Sequence, residues 1–195
     1  RAELEKMGFK VTAVFGRVMS GRMPIKGLPQ LETASNVRFA QPAYKPVHQS
    51  LPTGSSIKSA VLGEKPKPVI SQGDTAQRSY LARQKVGRRP GVDGKGVKVG
   101  ILSDSYNNLG TAAIGVAGGE LPGPTNPINY KKRVQIIKHL DSNGTDEGRA
   151  MAEIVHDVAP GAELAFRTAI GGQAEFARGI LELALNGCEV NVDDV

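Results

Sequence analysis

The stretch Thr145-Asp146-Glu147-Gly148-Arg149-Ala150-Met151-Ala152-Glu153-Ile154-Val155-His156-Asp157-Val158-Ala159-Pro160-Gly161-Ala162-Glu163-Leu164-Ala165-Phe166-Arg167-Thr168 decides the fold. Thr145 or Asn143 can cap a helix running from Asp146 to Val158, and Pro160-Gly161 ends it. Glu163 to Thr168 then reads as a strand. Downstream, Gln173 to Leu185 predicts a second helix with Phe176, Ile180 and Leu183 on one face and Gly187 as its stop, and Glu189 to Val195 a further strand. Upstream, Val97 to Leu102 is an apolar run broken only by Lys98, and Val134 to Ile137 is another, with a long loop rich in Gly, Pro and Asn between them. Strand, strand, helix, strand, helix, strand with continuously apolar strands predicts an α/β domain, a mostly parallel sheet flanked by helices.

That domain is expected to span residues 74–195, opening with a short helix from Thr75 to Gln84 and the glycine-punctuated stretch Gly87 to Gly96. Before it, residues 49–73 change to Pro, Gly, Ser and Lys without periodicity, which reads as an exposed linker. Residues 1–48 read as a small α+β unit: a helix end over Ala2 to Met7, β-rich alternation from Phe9 to Met19, a turn at Ser20-Gly21, a short helix from Ile25 to Leu31 and a strand from Asn36 to Ala40. The first residue falls inside a helix and the last inside a strand, so the chain is expected to be a piece of a longer polypeptide.

Twenty-five Lys and Arg against nineteen Asp and Glu give a formal charge of +6, and 39% of residues are hydrophobic, ample for a buried core. The positive residues are dispersed and lack interleaved aromatics, so no nucleic-acid partner is expected. No apolar run is long enough to span a membrane. The single cysteine, Cys188, excludes an internal disulfide framework and reads as a small buried hydrophobe.

In an open parallel sheet, ligands bind at the carboxyl ends of the strands. Two segments deliver carboxylates there: Ser103-Asp104-Ser105, directly after the first apolar strand, and Thr145-Asp146-Glu147 at the helix start. With Glu147 at zero and about 100° per residue, Met151 falls near about 40°, Ile154 near about −20° and Val158 near about 20°. Glu147 is therefore expected in the middle of an apolar stripe, where a carboxyl group needs a partner and becomes a candidate acid or base. His156 falls near about 180°, so it and Asp157 are expected to face solvent instead of forming a metal centre.

The run Glu147-Gly148-Arg149 through Val158-Ala159-Pro160-Gly161-Ala162 resembles the helix of the subtilisin/sedolisin peptidase superfamily that carries its catalytic base and ends in an Ala-Pro-x-Ala turn. Sedolisins, the serine-carboxyl peptidases, have Glu where subtilisins have the first His, and an ungapped count from Ala159-Pro160 puts Glu147 there. Asp93-Gly94-Lys95-Gly96-Val97 through Ser103-Asp104-Ser105 is similar to the superfamily's glycine-flanked first strand and its Asp-Ser, and Phe15 to Pro46 to its inhibitory prosegment. The resemblance implies a partial subtilisin-like fold and a secreted serine-type endopeptidase acting on polypeptides. Glu147 would serve as base, Asp104 would share its proton or hold it in place, and the prosegment would act as intramolecular inhibitor. It implies no cofactor within this chain, with calcium possible in the complete family member, and a serine nucleophile outside these residues. Two departures stand out: Met151 occupies the position of the second sedolisin acid, and Ser103 occupies the ungapped position of the subtilisin Asp, one residue before Asp104. A second reading of the same residues is an inactive relative, or a doubly wound module in which Asp104 and Glu147 line a ligand crevice.

Overall fold

The computed structural model describes residues 1–44, 69–85, 92–140 and 143–194; the expected linker up to residue 68 and the glycines Gly87 and Gly91 lie outside the described residues. The chain opens with helix α1 (Ala2–Lys6) and an antiparallel hairpin of β1 (Lys10–Phe15) and β2 (Val18–Arg22). The hairpin turns at Gly16-Arg17, not at the expected Ser20-Gly21. Gly16 supplies the positive φ of 55° that a two-residue loop requires, while Gly21 sits inside β2 where a Cβ would come within 2.3 Å of the Lys10 carbonyl oxygen. Glycine here marks a close backbone approach, which composition cannot distinguish from a turn. A 3₁₀ segment, Ile25–Thr33, replaces the expected short helix, and Asn36 to Ala40 forms no strand.

Two short helices, α2 (Gln72–Ala76) and α3 (Ser79–Lys85), stand where a single one was expected, separated by Arg78 with φ of 59°. Then follow β3 (Lys98–Ser103), α4 (Ala112–Gly118), β4 (Gln135–Lys138), α5 (Glu147–Val158), β5 (Glu163–Thr168), α6 (Gln173–Leu185) and β6 (Val190–Asp193). Helix α4 lies inside the stretch read as loop, because its sequence Ala-Ala-Ile-Gly-Val-Ala-Gly carries two helix-disfavouring glycines. The strands form one parallel four-stranded sheet in the order β4-β5-β3-β6. The mixed α/β class and the helix-flanked parallel sheet follow the sequence reading.

Alternation along the strands divides the core in two. Val99, Ile101, Leu164 and Phe166 point to one side, where Ala152, Met151 and Val155 of α5 pack with Ala112 and Leu121. Leu102 and Ala165 point to the other, against Phe176 and Leu183 of α6 and Cys188. Connections from the neighbouring strands β3 and β5 thus leave toward opposite faces, which makes their carboxyl ends the switch point at which doubly wound sheets bind ligands. The hairpin β1-β2 lies on α6, and Ser20 Oγ accepts the Ala174 N–H at 3.0 Å. This supplies a cap that the helix's own Gly172 cannot.

Helix α5 is rotated from the expected phase. Gly148, Ala152 and His156 are its buried residues, while Ile154 is 51% exposed. Small residues set this contact. A Cβ on Gly148 would lie 2.3 Å from the Phe166 ring, so the helix settles on the sheet along Gly148 and Ala152, and the buried face centres about 130° away from the stripe of Met151, Ile154 and Val158. His156, expected in solvent, is 2% exposed with the Tyr130 ring edge-on at 5.2 Å. Ile180 of α6, expected on one face with Phe176 and Leu183, is 41% exposed while Leu183 is fully buried.

Candidate active site

The turn after β3 and the first turn of α5 meet at the carboxyl edge of the sheet. Asp104 is buried, and its carboxylate accepts hydrogen bonds from the Ser105 N–H, from the Thr145 N–H, from Thr145 Oγ1 at 2.7 Å and from the Glu147 N–H at 3.1 Å. Helix N-termini leave their first N–H groups without intrahelical partners. An acid on the neighbouring strand end supplies one here, and neither Thr145 nor the helix's own N-cap residue does so with its side chain.

Asp146, the residue before the helix, adopts φ of 61° and is buried. Its Oδ1 accepts from Ser105 Oγ at 2.9 Å and from the Asn108 N–H at 2.6 Å, and its Oδ2 accepts from the Leu109 N–H at 2.9 Å. Ser105 Oγ accepts the Asp146 N–H in return, at 2.8 Å. Arg149 closes this arrangement 3.4 Å from Asp146 Oδ2. The left-handed backbone of a non-glycine residue is held because both of its carboxylate oxygens are engaged by the facing loop.

Glu147 is half-buried at the flank of the helix contact, not in the middle of an apolar stripe. Ser103 Oγ donates to its Oε2 at 3.2 Å, and its own N–H reaches Asp104. The two candidate residues, Glu147 and Asp104, are therefore brought together at the carboxyl edge of the sheet, through the main-chain N–H of Glu147. Thr168, at the end of β5, donates its Oγ1 to the Asp104 carbonyl at 2.7 Å, and the Ala169 N–H donates to the Ser103 carbonyl at 2.7 Å, which ties the two strand ends across the switch point. Burial pushes the nearby Tyr106 hydroxyl up to about 12, with Arg149 opposing and Glu153 adding to the rise, so Tyr106 stays a neutral donor.

Sequence reasoning named Glu147 and Asp104 but missed the roles of Asp146 and Thr168. Ser103 and Ser105 both make hydrogen bonds at the end of β3, to Glu147 and to Asp146. On the opposite face, Arg167 is fully buried and donates to Glu175 and Glu182 of α6, an ion network behind the Gly171-Gly172 loop that no spacing in the sequence announces. Cys188 is free and buried, and burial raises its thiol. Among the described residues no group of three or more His, Cys, Asp or Glu could hold a metal ion, and no helix is long and apolar enough to cross a membrane.

Compared with protein-family models, curated proteins and solved structures, the chain matches none.

Proposed function

We propose that this chain contributes the base-bearing part of a secreted serine endopeptidase of the subtilisin/sedolisin kind. The observation that carries the reading is Glu147: a carboxylate on the first turn of α5, at the carboxyl edge of a parallel sheet, with its side chain bonded to Ser103 and its N–H to Asp104. In the proposed reaction a serine from outside these residues attacks the peptide carbonyl carbon. Glu147 takes the hydroxyl proton and then delivers it to the leaving amine, and water releases the acyl group by the reverse path. A carboxylate base must be ionised to accept a proton, so turnover extends into the acidic range. Asp104 serves by fixing the backbone of the base. The unit of residues 1–48 acts as the intramolecular inhibitor, a role supported by the hairpin lying on α6 with Ser20 capping that helix.

One observation favours a second reading, a doubly wound ligand-binding module or inactive relative: the oxygens of Asp104 and Asp146 are directed at helix and loop donors, which accounts for both acids without catalysis. Treating the full-length protein with a fluorophosphonate and digesting it for mass spectrometry separates the two. The peptidase reading expects one modified serine and loss of peptide hydrolysis. Absence of both hydrolysis and adduct leaves the binding module.

A further inference from the structure

Resting on that reading, we infer that Ser103 is the positioning residue that aims the Glu147 carboxylate. Fixing the backbone of a glutamate leaves three side-chain torsions free, so a base on this helix needs a second point of attachment before its oxygens have a defined place. Ser103 supplies one from a rigid origin. It is the last residue of β3, fully buried, paired in register with Thr168, with its carbonyl held by the Ala169 N–H at 2.7 Å. Alternation along β3 puts Ser103 on the same sheet face as Ile101, the face covered by α5, and its Oγ donates to Glu147 Oε2 at 3.2 Å. Helix and strand end are then locked independently by Asp104, whose carboxylate accepts the Glu147 and Thr145 N–H groups. Asp104 thus accepts from the main chain of the base, and Ser103 donates to its side chain.

The chemistry of a hydroxyl suits the task. It donates one hydrogen bond and has two acceptor lone pairs, so it can donate to Glu147 while that group is ionised and accept from it once the carboxyl carries a proton. An ionised aspartate in the same place could only accept, and would repel the base in its working form. Ser103 thus follows the carboxyl group through both halves of a proton transfer without itself exchanging a proton.

The test reads side-chain order before it reads activity. In the 195-residue chain, three-bond NMR couplings of Glu147 should report a single χ1 and χ2 rotamer. Ser103→Ala should give averaged couplings with the remaining spectrum unchanged, and Ser103→Thr should restore the single rotamer. Ser103→Cys, with a similar volume and a weak donor, serves if the alanine variant does not fold. In the full-length protein, Ser103→Ala should lower kcat by about 10- to 100-fold with KM within about twofold, since the loss is one of orientation and not of substrate binding. An unaveraged Glu147 in the alanine or cysteine variant overturns the inference, as does a kcat within twofold of wild type despite averaging. If wild-type full-length protein hydrolyses no peptide but the coupling changes hold, the peptidase reading fails while the orientation of Glu147 by Ser103 stands.

Discussion

The two ends of α5 solve opposite problems. At its N-terminus, the buried carboxylate of Asp104 meets N–H and hydroxyl donors of Thr145 and Glu147 at the helix start, and that of Asp146 meets donors from the turn after β3, with the two acids in the same small volume. At its C-terminal half, the His156 ring is as deeply buried, yet neither nitrogen has a hydrogen-bond partner among the described residues. Burial alone holds that imidazole down at about 4. Around it the docking of residues 69–85 is made by ordinary means: the Ser71 N–H donates to Asp157 at 2.6 Å, and Arg83 pairs with Asp74 while reaching the Val158 carbonyl at 2.8 Å. One end is a network in which every named acid has a geometric assignment, and the other is a core contact that happens to contain a titratable ring. Polar residues at the first end are candidates for function because their positions are over-determined; a histidine at the second is there to fill space beside Tyr130.

The largest effect should come from breaking the ordered end. Asp104→Ala leaves the N–H groups of Ser105, Thr145 and Glu147 without their acceptor in a buried turn, and should cost about 3 kcal/mol or more of unfolding free energy, read from urea midpoints of the two proteins. A loss under about 1 kcal/mol would mean that water or the facing loop replaces the carboxylate, and the contrast between the two ends would shrink accordingly.

A comparable effect, but one that depends on pH, is expected at the other end. The folded His156 titrates at about 4, below the ordinary value of 6.5, so the unfolded chain binds the proton more readily between those values. Its contribution is intact above pH 6.5 and is lost as pH falls toward 4, by up to about 3 kcal/mol. Burial raises Glu120, Glu153 and Asp157, and these act in the opposite direction because the folded state holds their protons more tightly. The diagnostic is therefore the difference between wild type and His156→Phe, which should be flat above pH 6.5 and should swing in favour of the variant toward pH 4. A difference that does not change with pH would show that the ring is hydrated or partnered.

Asp157→Asn should do least. An amide oxygen can still accept the Ser71 N–H, so stability should move by under about 1 kcal/mol and peptide turnover by the full-length protein not at all. A large loss of turnover would transfer functional weight to the end of the helix to which the comparison denies it.

How much of this was legible in the sequence follows from which physical signal each element carries. Strand β5 and helix α6 were read at their observed bounds because an apolar run and an amphipathic stretch followed by Gly187 report themselves directly. Helix α5 was found but its phase was not. Periodicity weighs large apolar residues, whereas Gly148 and Ala152 decide the contact by letting the backbone approach Phe166, a tertiary fact that one chain segment does not contain. A close backbone approach also moved the expected hairpin turn from Gly16 to Gly21, whereas α4 was hidden by the low helix propensity of its own glycines. At the candidate site, strand-end position drew attention to Asp104 and Glu147, but the helix phase that singled out Glu147 did not hold, because the buried face runs along Gly148, Ala152 and His156. The sequence could not tell which atoms of these two residues meet, and the bond from Ser103 to Glu147 and the αL backbone of Asp146 appear only once strand and helix are placed together.

The claim on which the functional account turns is that Glu147 is a base, and the most direct measurement is peptide turnover by the full-length protein carrying Glu147→Gln. Glutamine keeps the shape of the side chain and can still accept from Ser103, but it has no basicity near neutral pH. The account predicts that kcat falls by at least about 10³-fold while the unfolding midpoint and the KM stay close to wild type. Turnover within about tenfold of wild type in a folded Glu147→Gln protein would contradict it, and would return Glu147 to the role of an acid that merely favours the start of its helix.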